Sequence, residues 1–591
     1  MNSKLISVLL LLYPTLNIAT TLLPEVTVTA TRSAKTSPLA SVTVITREEI
    51  VKSQAISISD ILHGVPGLDV TNNGGLGQNT SIFMRGTESD HILILLDGVK
   101  IGSATTGSMA FEHLPISQIE RIEIVRGPRS SLYGSEAIGG VIQIFTRHSK
   151  TPHTESSVGI GADNTYRVTT GFSSSTKNNW LSLYADRLKT DGFNACNDGC
   201  FTFEPDDDGY ENTSFSTRFG HNFANKANIE VHALKTKGNT QFDSSFNNQA
   251  DFTQQVIGVK TDYIVNNWWL LNLNIGESQD KFDESSESYF HTTRTIYGLQ
   301  NNLFFAEQEL IIGYEEQTDD VSSHIDYAID SLTNKGLFAE YQVEFASTEL
   351  LLGVREDDNE QFGKHTTKNI SLGYALNSTM RFIANYGTAF KAPSFNELYF
   401  PNYGNSQLIP EESESYEIGL IGKQQYYNWS INVYETKIDK LIATNFDAET
   451  NSYFADNINK AKIIGMDGAI NLQKNNWEFN TKISWLKPED ETTGNLLPRR
   501  AEKSINVELA ERRGSMRLAV NVLANSYRYD NTDNTQRLAG YGIVNLAGEY
   551  NVNKNLTLRM RVENILNKDY ETVYSYNTPN QFWFFSLNYQ H

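Results

Sequence analysis

Leu556-Thr557-Leu558-Arg559-Met560-Arg561-Val562-Glu563 decides the fold of this chain. Apolar residues at 556, 558, 560 and 562 alternate with polar or charged ones at 557, 559, 561 and 563, so in an extended strand the two sets point to opposite faces. One face suits lipid, and the other, with two arginines and a glutamate, suits a wet lumen. A soluble β-sandwich buries one face of each strand and has no use for such charges there. The pattern recurs: Leu181, Leu183 and Ala185 alternate with Ser182, Tyr184 and Asp186, and Trp583, Phe585, Leu587 and Tyr589 share one face of the final segment. Aromatic residues near strand ends fit interfacial girdles.

From about residue 155 onward, segments of roughly ten residues with this period are separated by polar turns. The region predicts an all-β membrane protein, a transmembrane antiparallel β-barrel over 153–591 whose last segment is 574–591. About 22 strands, the number in plugged outer-membrane transporters, would allow roughly twenty residues per strand with its share of loop. Closure satisfies every backbone group in lipid. A soluble propeller or solenoid would carry a fixed repeat, and none is present. Beyond the N-terminus no apolar run reaches the roughly 18 residues of a membrane-crossing helix. The acidic stretches at 204–209, 319–330, 355–360 and 411–417 read mostly as solvated loops.

The preceding region, 36–149, has a different texture and predicts a compact α/β domain. Thr46 and Glu49 form a capping box for a helix carrying Ile50 and Val51. A second helix through Asp60, Ile61 and Leu62 follows Ser59 and stops at Gly64 and Pro66. Strands at 82–84, 92–96 and 122–125 close on turns such as Asp97-Gly98 and Gly127-Pro128. Residues 1–20 read as a secretory signal peptide, with Lys4 before an apolar run from Leu5 to Tyr13 and small residues at Ala19 and Thr20.

Export makes the two cysteines, Cys196 and Cys200, readable as a small disulfide around the turn Asn197-Asp198-Gly199, with a metal pair or two free thiols as the other readings. The net charge of -21 argues against a nucleic-acid partner. The 11 histidines form no HExxH pattern, there is no GxSxG, and the glycines at 74–77 lack a phosphate-loop lysine, so no enzyme class is indicated.

An ordered set of short motifs runs through the first domain: Ile61-Leu62-His63-Gly64-Val65-Pro66-Gly67-Leu68, Met84-Arg85-Gly86, Leu96-Asp97-Gly98-Val99, Ile122-Glu123-Ile124-Val125-Arg126-Gly127-Pro128, Leu132-Tyr133-Gly134 and Ile138-Gly139-Gly140-Val141-Ile142. Singly each is a turn or a strand. In this order they resemble the plug domain of TonB-dependent outer-membrane receptors. The resemblance implies a plug filling the barrel, a place in the outer membrane in contact with its lipid, and coupling to TonB through a TonB box. The box would lie at 24–31, where Glu25, Val26, Thr27, Val28, Thr29 and Ala30 form an extended stretch able to add to a partner's sheet edge. The other reading of that stretch is a first plug strand. Arg85, Arg121, Arg126 and Arg129 can pair with carboxylates, either as latches between plug and wall or as ordinary plug stabilisers.

Within the family, residues 72–87 and 567–576 resemble the cobalamin (vitamin B12) receptors, while Gly387-Thr388-Ala389-Phe390-Lys391-Ala392-Pro393 is a general family segment. This resemblance implies that plug-apex loops present Asn79, Ser81, Glu88, Thr105 and Thr106 to the amide-rich corrin rim, with Arg499, Ser288 and Asp533 contributed by the barrel. Glu88 places a charge where the family has a neutral amide. The resemblance also implies calcium in the outer loops, at positions matching Asn194, Glu204, Asp206, Asp208, Asp243 and Asn247, with a solvated acidic loop as the other reading. His591 departs from the aromatic residue that usually ends such barrels. A passive porin has no use for a plug or an energy-coupling box. A ferric-siderophore receptor is the alternative within the family, because loops decide the ligand.

Overall fold

The computed structural model describes residues 39–591 except 150, 225, 286, 448–451 and 459. The expected signal peptide and the 24–31 segment lie outside the described residues.

The first domain opens with β1 (Val42–Thr46) leading directly into α1 (Arg47–Ser53). Thr46 and Glu49 make the expected reciprocal cap, which satisfies donors at the start of the helix. In α2 (Ile58–Leu62) the N-cap is Ser57 rather than Ser59, because Asp60 reaches back to the Ser57 backbone. Then follow β2 (Leu68–Asn72), β3 (Thr80–Met84), β4 (Ile92–Leu96), β5 (Val99–Ile101), β6 (Ile119–Arg126), α3 (Ser130–Tyr133) and β7 (Gly140–Thr146). A five-stranded sheet runs β1-β6-β7-β4-β5, with β4 parallel to β7, and β2 and β3 form a separate hairpin. Asp97 and Gly98, both at positive φ, make the tight β4–β5 turn that Asp-Gly predicts.

Ile58, Leu62, Ile82, Met84, Ile122, Ile142 and Ile144 are fully buried at the centre of this domain. Its core does not end at its own boundary, because Leu234, Val256 and Ile296 from the surrounding barrel belong to the same apolar cluster.

Twenty-two strands close the barrel around this plug, the final strand Phe582–Gln590 pairing with the first, His153–Gly161. Connections of two to four residues at one rim, such as 267–268, 306–307 and 514–515, contrast with long loops at the other, such as 191–209, 392–410 and 564–581. The chain enters and leaves the barrel at the short-turn rim. Leu558, Met560, Phe585, Leu587 and Ile418 point outward and are exposed, as a lipid-facing surface requires. Arg559 and Arg561 point inward, where Arg559 meets Glu549 at 3.2 Å and Arg561 meets Asp60 of the plug at 3.1 Å.

Three of the four acidic stretches read as loops lie wholly or partly in barrel strands: Gln308–Ser323, Thr348–Asn359 and Glu411–Lys423. Composition misleads here because the barrel's inner face is polar. Asp319, Asp357, Glu411 and Glu417 turn inward and meet cations instead of solvent.

Candidate functional site

The plug loops nearest the long-loop rim are shaped by one side chain and three glycines. Asn72 donates from Nδ2 to Gly75 O, Gln78 O and Thr80 Oγ1 at 3.0 to 3.1 Å, and its Oδ1 accepts from Gly74 N at 3.0 Å. Gly74, Gly75 and Gly77 all have positive φ, and a Cβ at Gly77 would stand 2.1 Å from the Tyr210 ring. Glycine here permits both the turn and the close approach of barrel to plug. On this scaffold Asn79 is exposed and Ser81 half-buried. Thr106 is exposed and accepts from Ser108 N at 3.3 Å, while Thr105 is buried with its hydroxyl 2.6 Å from that of Ser103. Asn79, Ser81 and Thr106 can therefore offer polar groups to a ligand, and Thr105 can do so only if its loop moves.

Glu88 faces Arg500, with Oε1 2.6 Å from the guanidinium. Arg500 also donates to Gly86 O at 3.1 Å and covers the Phe83 ring at 4.5 Å. Sequence reasoning chose Arg499 and missed Arg500. The structure gives Arg499 a different task, pairing with Asp530 at 2.9 Å from a positive-φ backbone at the rim. A doublet of arginines beside one plug carboxylate was the signal available, but spacing could not say which of the two turns inward. The remaining barrel candidates stay apart from this cluster. Ser288 donates to Glu284 at 2.9 Å within its own hairpin, and Asp533 is exposed in the turn closing 530–536.

Cys196 and Cys200 form a disulfide in the 191–209 loop. Around it the residues matched to calcium ligands are brought together, but largely by bonds to backbone. Asp208 accepts from Ala195 N at 2.7 Å, Asp243 from Cys196 N at 2.9 Å and from Glu204 N, and Asn194 donates to Glu204 O at 2.7 Å. Asp206 is exposed, and Asn247 lies half-buried in the neighbouring 242–248 loop. Burial, with Asp243 and Asp206 adding like charge, pushes the Asp208 carboxyl up to about 7. Asn194 Oδ1 is buried without a hydrogen-bond partner. Among the described residues no group of three or more His, Cys, Asp or Glu side chains is arranged to hold a metal ion. The donor chemistry suits a hard cation, and the arrangement as it stands does not.

Of the four plug arginines, Arg85 latches onto the wall, through Glu417 at 2.8 Å and Asp467 at 2.9 Å. Arg121 pairs with Glu123 inside the plug, Arg126 bonds Pro66 O and Thr43 Oγ1, and Arg129 donates to Pro128 O. Other groups supply further latches: Lys100 to Glu315 at 2.6 Å, His91 to Glu411 at 2.8 Å, and from the wall Arg294 to Glu136 at 3.0 Å and Arg218 to Asp97 at 2.9 Å.

Residues 153–565 match the family model "TonB dependent receptor-like, beta-barrel", and residues 34–141 match "TonB-dependent Receptor Plug Domain". A protein described as vitamin B12 transporter BtuB, from Photobacterium profundum, is 32% identical over 565 residues, with 93% of each chain covered. Among solved structures, a ferric enterobactin receptor of Pseudomonas aeruginosa in complex with enterobactin superposes with a TM-score of 0.80 at 20% identity, covering 93% of this chain and 99% of that one. A siderophore receptor from Acinetobacter baumannii gives 0.79 at 18%, covering 93% and 98%. At such identities these two superpositions speak for the fold alone. With both family models matched and a plugged, closed 22-stranded barrel in the structure, the chain belongs to the TonB-dependent receptors of the Gram-negative outer membrane.

Proposed function

We propose that this receptor imports cobalamin into the periplasm, drawing on TonB through the segment at 24–31. The observation that carries the reading is the 32% identity, sustained over 93% of both chains, to a protein described as a vitamin B12 transporter. The chemistry of the apex supports it. Asn79, Ser81 and Thr106 are short, neutral and able to donate and accept, which suits a rim of carboxamides. Arg499 and Arg500 each face a carboxylate, so this cluster offers little net positive charge to an anionic ferric siderophore. Glu88 then serves to hold Arg500 and needs no neutral replacement.

Ligand must bind one arrangement of loops and plug more tightly than the other, or occupancy could not be signalled to the TonB box. Calcium, if it takes part, belongs to the loops at 191–209 and 242–248, where a cation would relieve the like charges of Asp206, Asp208 and Asp243 and give Asn194 Oδ1 a partner. Calorimetric titration of the detergent-purified protein with cyanocobalamin, with and without calcium and beside ferric enterobactin, tests the reading. Tight corrinoid binding is expected. Binding of the ferric siderophore alone by folded protein would replace cobalamin with the siderophore alternative, and corrinoid binding indifferent to calcium would remove the metal.

A further inference from the structure

A cavity of about 260 Å³ lies between the plug and one sector of the wall, formed by the strands Lys503–Arg513, Met516–Asn525, Tyr541–Asn551 and Leu556–Glu563. None of the eight candidate ligand residues lines it. Its upper end opens beside Gly74, Gly75 and Phe193, next to the apex loops, and its lower end reaches Lys52 and Lys482. Below that point the seam is shut by charge: Lys52 meets Glu478 at 2.9 Å, and Arg517 meets Glu478 at 3.0 Å and Glu508 at 3.2 Å.

Three features of this seam belong together. Its wall is neutral and polar at the centre, where Asn506, Asn521 and Asn545 form a ladder of carboxamides, with Asn521 donating to Asn506 at 3.0 Å and Asn545 to Asn521 at 3.4 Å. Its plug side is made only of residues between 52 and 76, the part of the plug that follows β1 and α1 in the chain. The rest of the plug is pinned elsewhere, by Arg85, Lys100, Glu136 and Asp97 in buried or largely buried ion pairs with the wall. On the seam itself Asp60 pairs with Arg561 at 3.1 Å, and Asp69, in the same stretch of the plug, meets Arg528 at 3.2 Å.

We infer that this seam is the transit route, and that its asparagine ladder is a second, transient binding site for a carboxamide-rich ligand on its way inward. The inference rests on the import reading above. A pull on the chain before β1 strips an edge strand of five residues from β6, then α1 and Lys52, and so opens the seam from below before the pairs of Arg85, Lys100, Glu136 and Asp97 are strained, with Asp69–Arg528 the buried tie of the 52–76 stretch that must give way. The cavity is smaller than the roughly 300–1,000 Å³ of a drug-sized ligand site, so residues 52–76 must withdraw for passage.

The test bridges plug to wall at two places. Asp60→Cys with Arg561→Cys ties the seam, and Glu136→Cys with Arg294→Cys ties the plug to a strand on the far side; a short, reductant-cleavable bis-maleimide joins each pair. Uptake of labelled cyanocobalamin and of ferric enterobactin by intact cells is measured before bridging, after it and after cleavage, with binding to purified protein as the check on folding. The seam bridge is expected to cut uptake of the transported probe at least tenfold, with recovery on cleavage, while the far-side bridge changes it less than twofold. Equal loss with both bridges, or unimpaired uptake with the seam bridged, overturns the inference while leaving the import reading intact. Uptake of neither probe by the unmodified protein overturns the import reading, and the transit route with it. As a second variant, Asn521→Leu with Asn545→Leu is expected to lower uptake at least fivefold with affinity at the outer face within twofold; unchanged uptake would remove the ladder's role.

Discussion

Asp208 shows how one carboxylate can make an outer loop sensitive to pH. Its folded-state pKa of about 7 lies above that of an unfolded aspartate, so its charged form is disfavoured in the folded loop. The loop is therefore most stable below about pH 4 as far as this group is concerned, and that stability is lost as pH rises through about 7. Hydrogen exchange of residues 191–209 should show weaker protection at pH 8.5 than at pH 5.5, and Asp208→Asn should flatten the difference, since the amide oxygen can still accept from Ala195 N. A pH dependence that survives the substitution would assign the effect to another group. Arg85 presents the opposite case, a charge held by two buried partners. Arg85→Ala takes from Glu417 and Asp467 the cation bonded to both and leaves Arg126 nearby, a change that costs roughly 3–5 kcal/mol when a buried pair is broken. The plug's thermal transition should move down accordingly while the barrel remains folded; a loss below about 1 kcal/mol would mean that water already screens the site.

At the scale of elements, the strand Leu556–Glu563 ties sequence to membrane most directly. Met560 lies near its middle and faces outward, so Met560→Arg should destabilise the barrel by roughly 2–4 kcal/mol in urea unfolding from lipid vesicles, whereas Thr557→Arg, on the lumen side, should cost far less. Similar costs for both would mean that the two faces are not distinguished as the alternation requires. This strand was legible because period two is a local signal and each face meets one solvent. The capping box of α1 was legible for the same reason, as was the Asp97-Gly98 turn. The stretches around Asp319, Asp357 and Glu411 were not, because a carboxylate facing a plug cation looks in sequence like one facing water. The candidate site divides along the same line. Short polar residues of the apex could be placed by their motif, but the choice between Arg499 and Arg500 depended on a backbone at positive φ and on Glu88, more than 400 residues away.

In the whole molecule, plug and barrel share both a core and a charge balance. Leu234, Val256 and Ile296 complete the plug's apolar cluster, and Arg85, Lys100 and His91 answer the wall's Glu417, Asp467, Glu315 and Glu411. Removing residues 36–149 would withdraw these partners, leaving Glu417 and Asp467 facing water and Glu315 and Glu411 with only Arg355 and Lys391 of the wall. A 22-stranded barrel without its plug encloses an open lumen, and every backbone group of its wall remains bonded between strands. The deleted protein is therefore expected to insert as a pore; losing the plug unpairs wall cations such as Arg294 and Arg218 as well as wall carboxylates, so the sign of its selectivity follows from the acidic balance of the chain, -21 overall, and cations should pass in preference to anions. Salt-gradient reversal potentials in planar bilayers measure this directly. Glu315→Gln with Glu417→Gln should shift the reversal potential toward zero, because it neutralises two of the carboxylates that the plug had occupied. An anion-selective pore, or one indifferent to that double substitution, would show that the ion pairs between plug and wall do not govern the charge of the lumen.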